Sequence, residues 1–453
     1  MIHKFHRAGF YIVMDIGSGA VHIVDKLTYL LLDEVTEKNL FSEKLPLLSN
    51  VITDQYTTKE INTAFLELCQ LCKLEILYTD DSYQEFKNMT GIAPVKAMCL
   101  NVAHDCNLRC KYCFASTGSF CGTRKMMSFE TAKKAIDLLI SLSDKRHNLE
   151  VDFFGGEPLM NFPVVKKTVE YARSIEKQFN KNFRFTITTN GLLLDEKKQE
   201  YINREMQNCV LSLDGRRQVN DSLRLKLDGS GSYDNIVPRY LNLVKNRGDK
   251  EYYIRGTYTK HNLDFDKDVL HLSELGFDQI SVEPVTGPDE DDYAINESHL
   301  AEIEKSYTRL MDLMIKNKKN NTQNFNFFHF MLDLEQGPCA IKRIRGCGAG
   351  NEYVAVTPDG EIFPCHQFVG NYDFIMGTVD KGIVAAEMKK KFANANILNK
   401  TKCNSCWAKF YCSGGCNANN YNMNKDMLSP HELSCDLEKM RLECSIAIKA
   451  ALY

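Results

Sequence analysis

From Ala97 onward, apolar residues follow two alternating rhythms: short runs with a two-residue period, and longer charged stretches with a helical period. Ala97–Val102, Leu149–Phe154, Phe183–Thr189, Asn208–Leu213, Tyr252–Tyr258 and Gln279–Glu283 read as strands. Phe129–Leu142, Val164–Phe179 and Asp234–Lys245 read as helices between them. Regular alternation of this kind predicts an α/β fold, a parallel sheet with helices outside. Six such units predict a partial, TIM-like (β/α)6 barrel, open rather than complete. Barrels of this type carry function on loops at the C-terminal strand ends.

The rhythm fails at both ends of the chain. Gly9–Met14 and Ala20–Val24 are β-like runs around the turn Gly17-Ser18-Gly19, which predicts a hairpin, and helical patterns follow at Lys26–Val35 and Thr58–Cys72. After Ile315 the elements shorten and Asn, Gly and Cys accumulate, with a solvated connection from Lys316 to Gln323. Three domains are therefore expected, at 1–90, 91–317 and 318–453.

Composition narrows the class. A chain of 453 residues, 44% hydrophobic and 25% charged, exceeds one ordinary core and has globular character. A net charge of −3 gives no global pull toward nucleic acid. Asp15, His22 and Asp25 interrupt the early apolar runs, and no later run is long enough for a bilayer. The expectation is a cytoplasmic protein without nucleic-acid or membrane partners. In that compartment 17 cysteines argue against a disulfide framework. Their clustering, Cys106 to Cys121 and Cys339 to Cys444, argues for metal sites. Cys69 and Cys72 instead fall at helical spacing among Leu66, Leu68 and Leu71, which predicts buried inert thiols.

Cys106-Asn-Leu-Arg-Cys110-Lys-Tyr-Cys113 follows the first strand, where a barrel places its site. Its three thiolates are one short of the four that fill a [4Fe–4S] cube, leaving an iron open to a small molecule. By spacing alone, a zinc knuckle or buried thiols also fit. Gly155-Gly156-Glu157-Pro158 follows the second strand, and its glycines permit close backbone approach to a ligand. Thr188-Thr189-Asn190-Gly191 ends the third strand and Ser212-Leu213-Asp214-Gly215 the fourth. Both set short polar groups on the rim, and both contain strong turn formers. Arg224 offers a planar fork for a carboxylate. Arg255, inside a strand, reads as a buried partner for a carboxylate, and an exposed salt bridge is the competing explanation for both arginines. Farther on lie Cys347-x12-Gly360-x4-Cys365, then Cys403-x2-Cys406-x5-Cys412-x3-Cys416, then Cys435. Two zinc sites are the alternative for these thiolates.

The first cysteine loop, with Tyr112 and Phe114, resembles the signature of radical S-adenosylmethionine (SAM) enzymes. The resemblance implies that the open iron chelates SAM, and that reduction cleaves it to methionine and a 5′-deoxyadenosyl radical. It also implies that Gly155, Gly156 and Glu157 receive the methionine amine. Tyr112, Phe114, Thr188, Asn190, Ser212, Asp214, Arg224 and Arg255 become candidate SAM contacts. The later cysteines resemble the SPASM extension of that family. Cys403, Cys406, Cys412 and Cys435 would then hold a distal [4Fe–4S] cluster, and Cys347, Cys365 and Cys416 a proximal one. Cys339 would complete the proximal set, or its iron would stay open for a substrate thiolate. The first ninety residues resemble a winged-helix-like domain that captures a leader peptide by strand addition; a stabilising cap is the alternative.

As a whole the chain resembles the SCIFF-peptide maturases, which install thioether crosslinks in small Cys-rich peptides. This implies SAM and three clusters as cofactors, with a Cys-rich precursor peptide and a flavodoxin- or ferredoxin-type electron donor as partners. Anaerobic sulfatase maturases are the nearest alternative. Their pattern places an Asp base after the Gly-x4-Cys cysteine, where this chain has His366, a candidate proton acceptor through its near-neutral pKa or else a structural histidine. Carbon–carbon crosslinking and a zinc-stabilised peptide-binding scaffold are the remaining readings.

Overall fold

In the computed structural model, which describes residues 1–80, 91–322, 324–334 and 340–453, the six period-two runs form consecutive parallel strands. They are β4 (Ala97–Ala103), β5 (Asn148–Gly155), β6 (Asn182–Thr189), β7 (Asn208–Ser212), β8 (Glu251–Tyr258) and β9 (Gln279–Pro284). Helices α3 (Phe129–Leu142), α4 (Phe162–Phe179), α5 (Glu196–Glu205), α6 (Tyr233–Lys245) and α7 (Phe265–Glu274) lie between them in sequence. Helix α3 starts where the Ser128 side chain accepts from Thr131 N, and it buries Ala132, Ala135, Ile136 and Leu139. That spacing makes one apolar stripe toward the sheet. Helix α4 stops at Asn180, whose φ of 52° is the left-handed cap that ends many helices.

Alternation along each strand then separates two faces. Val151, Phe153, Phe185, Ile187, Cys209, Leu211 and Ile254 are buried against the helices. Asp152, Phe154, Thr186, Thr188, Ser212 and Arg255 occupy the other face, which is the lumen of the partial barrel.

The α/β class and mostly parallel sheet are those the periodicity predicts. The sheet does not end with six strands, however. Both ends are extended by the Cys-rich region: β10 (Asn326–Phe327) pairs with β9, and β11 (Tyr353–Val356) pairs in parallel with β4. Antiparallel β12 (Glu361–Phe363), β13 (Gly377–Thr378) and β14 (Gly382–Ile383) complete eleven strands. Pairing at both ends covers backbone groups that an exposed edge would leave open.

The hairpin near the N-terminus is present as β2 (Phe10–Asp15) and β3 (Val21–Val24), joined by an additional strand, β1 (Ile2–Arg7). Ile2–Arg7 has only two apolar residues among polar ones, so periodicity missed it. The small sheet faces two cores. Phe5, Ile12, Met14 and Ile16 join the main core, whereas Val13 packs with Leu27, Leu31, Phe65 and Leu68 of α1 (Lys26–Glu34) and α2 (Thr58–Lys73). Cys69 and Cys72 are buried in that second cluster. His3 stacks on Trp407 with ring centroids 3.8 Å apart, and Arg7 donates to Glu443 and Glu304 at 2.8 Å each. Among the described residues β3 is an edge strand, and Ile23 on it is 49% exposed. The boundary expected at residue 90 and the candidate ligand Cys339 both lie outside the described residues.

Candidate active site

The three-cysteine loop leaves β4 and is held from two sides. Its segment Leu108–Cys110 pairs antiparallel with Arg224–Lys226, with Cys110 opposite Arg224. From below, Gly156 N donates to Ala103 O at 2.7 Å and Glu157 N to Asp105 O at 2.9 Å. A Cβ on Gly155 would stand 2.3 Å from Ala103 O, and one on Gly156 would stand 2.1 Å from Asp105 O. These glycines therefore admit the cysteine loop's own backbone. The close approach shown at these glycines is to protein backbone.

Glu157 is fully buried. Its carboxylate accepts from Leu159 N at 2.9 Å, from Thr189 Oγ1 at 2.8 Å and from Asn190 N at 2.8 Å. It thereby ties the glycine loop to the end of β6. Burial raises its pKa, against those three hydrogen bonds. Asn190, so fixed, turns its amide toward Cys106 Sγ (3.6 Å) and Asn107 Oδ1 (2.8 Å). Burial pushes the Cys106 thiol up to about 12 and the Cys110 thiol to about 11. Metal binding would have to displace these protons, so it couples to proton release.

Tyr112, Asp214 and Arg224 are brought together beside this loop. Tyr112 Oη donates to the Asp214 carboxylate (2.7 and 2.8 Å to its two oxygens) and accepts from Arg224 at 2.9 Å. Thr257 N also donates to Asp214 at 3.1 Å. Asp214 is fully buried, not on an open rim, because this network draws it inward. Burial raises its pKa despite Arg224 nearby. Among the described residues, Arg224 Nε is buried without a hydrogen-bond partner, beside Cys110. An unpartnered guanidinium donor next to three thiols fits a carboxylate-bearing ligand of a cluster in this loop. Thr188 and Ser212 stand half-buried on the lumen face, and Phe114 is 46% exposed. Arg255 differs from the buried partner expected of it: its side chain is 54% exposed and pairs with Glu283 at 2.5 Å. It lies on the lumen face of β8, where a charge stays hydrated.

His366 likewise departs from a near-neutral histidine. Burial, with Arg255 nearby, pushes it down to about 4. Its ring packs on Phe154 at 4.9 Å and Phe114 at 5.7 Å, which removes water from the charged form.

The distal cysteines converge. Cys403, Cys406, Cys412 and Cys435 line one cavity of about 550 Å³, together with Trp407, Lys402 and Lys439. Four soft thiolates around one space fit an iron–sulfur cube. Cys347, Cys365 and Cys416 lie within electrostatic reach of one another, and burial raises Cys365 and Cys416. Among the described residues no three His, Cys, Asp or Glu side chains are grouped to hold a single metal ion. A four-iron cube distributes its thiolates over separate irons.

Sequence reasoning missed Lys400. It is completely buried, donates to Gly414 O and Asn417 Oδ1 at 2.7 Å each, and feels Cys403 and Cys412 as well as Cys416 and Cys347. A buried cation between two thiolate sets is a counter-charge for both. Nothing in the local sequence separates it from a surface lysine.

Residues 100–237 match the model of the Radical SAM superfamily. The matched segment is the one that carries the first cysteine loop. Among similar proteins, an uncharacterized protein of Methanocaldococcus jannaschii is 37% identical over 138 residues, which is 30% of this chain. The matched part is 45% of that protein's length. The cysteine-type anaerobic sulfatase-maturating enzyme of Clostridium novyi is 24% identical over 334 residues, 70% of this chain and 86% of that one. The radical SAM cyclopropyl synthase TigE of Paramaledivibacter caminithermalis is 23% identical over 365 residues, 76% of this chain and 73% of its own. Among solved structures, native anSMEcpe with bound AdoMet shares the fold at a TM-score of 0.65 and 18% identity, covering 79% of this chain and 99% of that chain. Streptococcus suis SuiB bound to its precursor peptide SuiA aligns at a TM-score of 0.54 and 17% identity, over 94% of this chain and 97% of SuiB. No helix among the described residues is long and apolar enough to cross a membrane.

Proposed function

We propose that this chain is a radical SAM enzyme that matures a ribosomally made Cys-rich peptide by joining a cysteine sulfur to a carbon of an acceptor residue. The observation that carries the reading is the pairing of the Cys106–Cys113 loop, beside an unpartnered Arg224 donor, with a separate four-cysteine cavity. Relatives named as maturases, including the mycofactocin maturase MftC of Mycobacterium tuberculosis at 24% identity over 328 residues, together with the precursor peptide bound in the SuiB structure, support a peptide substrate.

In this reading Cys106, Cys110 and Cys113 hold the cluster that binds SAM, and Arg224 faces the SAM carboxylate. When bound, these groups supply a hydrogen-abstracting radical. Tyr112 and Asp214 hold Arg224 in place, and Glu157 fixes Asn190 against the cluster loop. Cys403, Cys406, Cys412 and Cys435 hold the distal auxiliary cluster, while Cys347, Cys365 and Cys416 hold the proximal one, with Cys339 as its candidate fourth ligand. Lys400 balances charge between the two. The domains are then a leader-binding unit at 1–90, the radical SAM partial barrel at 91–317 and a SPASM region at 318–453, served by a flavodoxin- or ferredoxin-type electron donor.

Mass spectrometry of a candidate Cys-rich peptide after turnover tests the reading. Each crosslink removes two hydrogens, and fragmentation locates the bridge at a cysteine sulfur. A peptide that returns a formylglycine, or a carbon–carbon link with all thiols free, rejects thioether formation.

The edge strand β3 supports leader capture by strand addition. Ile23→Asp removes an exposed apolar contact of the kind worth about 1.5–3 kcal/mol when buried. Leader affinity should fall about 10- to 100-fold with SAM affinity unchanged, as read by titration calorimetry. Unchanged leader affinity would remove β3 from the recognition surface.

A further inference from the structure

The N-terminal sheet rests on the cysteine elements from the far end of the chain. Side chains alternate along β1, so His3, Phe5 and Arg7 share one face. Phe5 enters the main core. The other two turn to the elements that carry the distal thiols. The His3 ring lies flat on Trp407, the residue after Cys406, with 2° between the ring planes. His3 Nε2 also meets Glu443 at 3.0 Å, the same carboxylate that takes Arg7. Glu443 stands on the C-terminal helix (Glu432–Leu452), about 12 Å along it from Cys435. The turn between β2 and β3 reaches the same place. A Cβ on Gly19 would stand 3.4 Å from Tyr411 Oη, and Tyr411 directly precedes Cys412. Met1, Ile16 and Gly17 line a cavity of about 240 Å³ together with Asn404, Lys409 and Phe410.

The distal thiols sit on little structure of their own. Cys403 lies in the helix Thr401–Asn404 and Cys412 ends the helix Lys409–Cys412, four residues each. A single helical turn fixes more backbone torsions than its hydrogen bonds offset, so such pieces need outside partners. Metal–sulfur bonds would supply them, because ligation of a site built from separate pieces is itself a folding step. Trp407 lies between these two turns, and it lines the same cavity as the four thiols. Closing that cavity around a cluster also fixes Trp407, and with it the surface under His3.

We propose that the distal cysteine site is the seat of the N-terminal sheet, and that Trp407 and Glu443 are positioning residues for peptide capture at β3. The inference rests on the leader-capture reading. β1 pairs with β2 along its whole length, and β2 pairs with β3. Order imposed on β1 therefore passes along the ladder to the edge that would take a peptide strand. An edge fixed beforehand binds more tightly than one that must be ordered on binding. By linkage, a bound leader should in turn steady the distal loop. The distal site thereby has a task that needs no electron.

Hydrogen exchange of the full-length, cluster-loaded protein tests this without turnover. Cys435→Ser removes one distal ligand. Amides of β1 and β3 should then exchange at least about 10-fold faster, while β5, β6 and β7 exchange as in the wild type. Trp407→Leu leaves every ligand in place and should speed β1 about 2- to 10-fold, and Trp407→Phe should recover protection. A fluorescently labelled synthetic leader of a candidate Cys-rich precursor should bind Cys435→Ser and Trp407→Leu about 10-fold more weakly than wild type, with SAM affinity unchanged. Unchanged exchange of β1 in Cys435→Ser, or unchanged leader affinity in both variants, would overturn the proposal. Faster exchange spread equally over β5, β6 and β7 would mark a general loss of fold and would also reject a dedicated seat. A wild type that does not bind the leader rejects leader capture itself, a failure seen before any variant is made.

Discussion

Replacing Cys106, Cys110 and Cys113 together by Ala should abolish reductive cleavage of SAM. The loss is expected to be complete because these three thiols are the only ones assigned to the SAM-binding cluster, and Cys110 stands opposite Arg224, whose buried Nε would meet the SAM carboxylate. The variant should retain the visible absorption of the auxiliary sites, since the Cys403–Cys435 cavity is built from separate elements. Iron content should then drop by one third, from about twelve to about eight per chain at four irons per cube. Continued 5′-deoxyadenosine formation would remove the loop from its assigned role. Zinc in place of iron, with no acid-labile sulfide, would remove the radical reading altogether.

Glu157→Ala should be the most damaging single change outside the cysteines. The lost carboxylate leaves Leu159 N, Asn190 N and Thr189 Oγ1 without an acceptor in a fully buried place. Each stranded donor costs about 1–3 kcal/mol, so the three together cost about 3–9 kcal/mol. Thermal unfolding should show a midpoint lower by several degrees. Glu157→Gln keeps the shape and one acceptor and should fall between. An unchanged midpoint in the Ala variant would mean that the glycine loop is secured by its backbone bonds to Ala103 and Asp105 alone.

Both predictions concern a motif whose position was legible in the sequence and whose workings were not. The six central strands were readable because one face of each is buried, which forces a strict period on Val151, Phe153 and their counterparts. The cysteine sets were readable because ligand spacing is local. The role of Glu157 was not, since its partners sit two and more than thirty residues away and meet only through the sheet. Lys400 escaped notice for the same reason: a lysine three residues before a cysteine looks ordinary until packing removes its water. Arg255 shows the converse. A charge in a strand suggests burial only when both faces are covered, and the lumen face of β8 is open. β1 could not be seen because its ladder with β2, rather than its own composition, makes it a strand.

The pairing of β11 with β4 has a mechanical consequence. One strand runs into the loop of Cys106, Cys110 and Cys113, and its neighbour leads through β12 to Cys365. The two cysteine loops are thus mounted on adjacent rails of one sheet, joined by main-chain hydrogen bonds from Ala97 to Leu100. Electron hopping decays steeply with separation, so a flexible mount would let the rate wander with every domain motion. Under the proposed function, a shared sheet would set that gap at folding and hold it through turnover, whatever the N-terminal unit does.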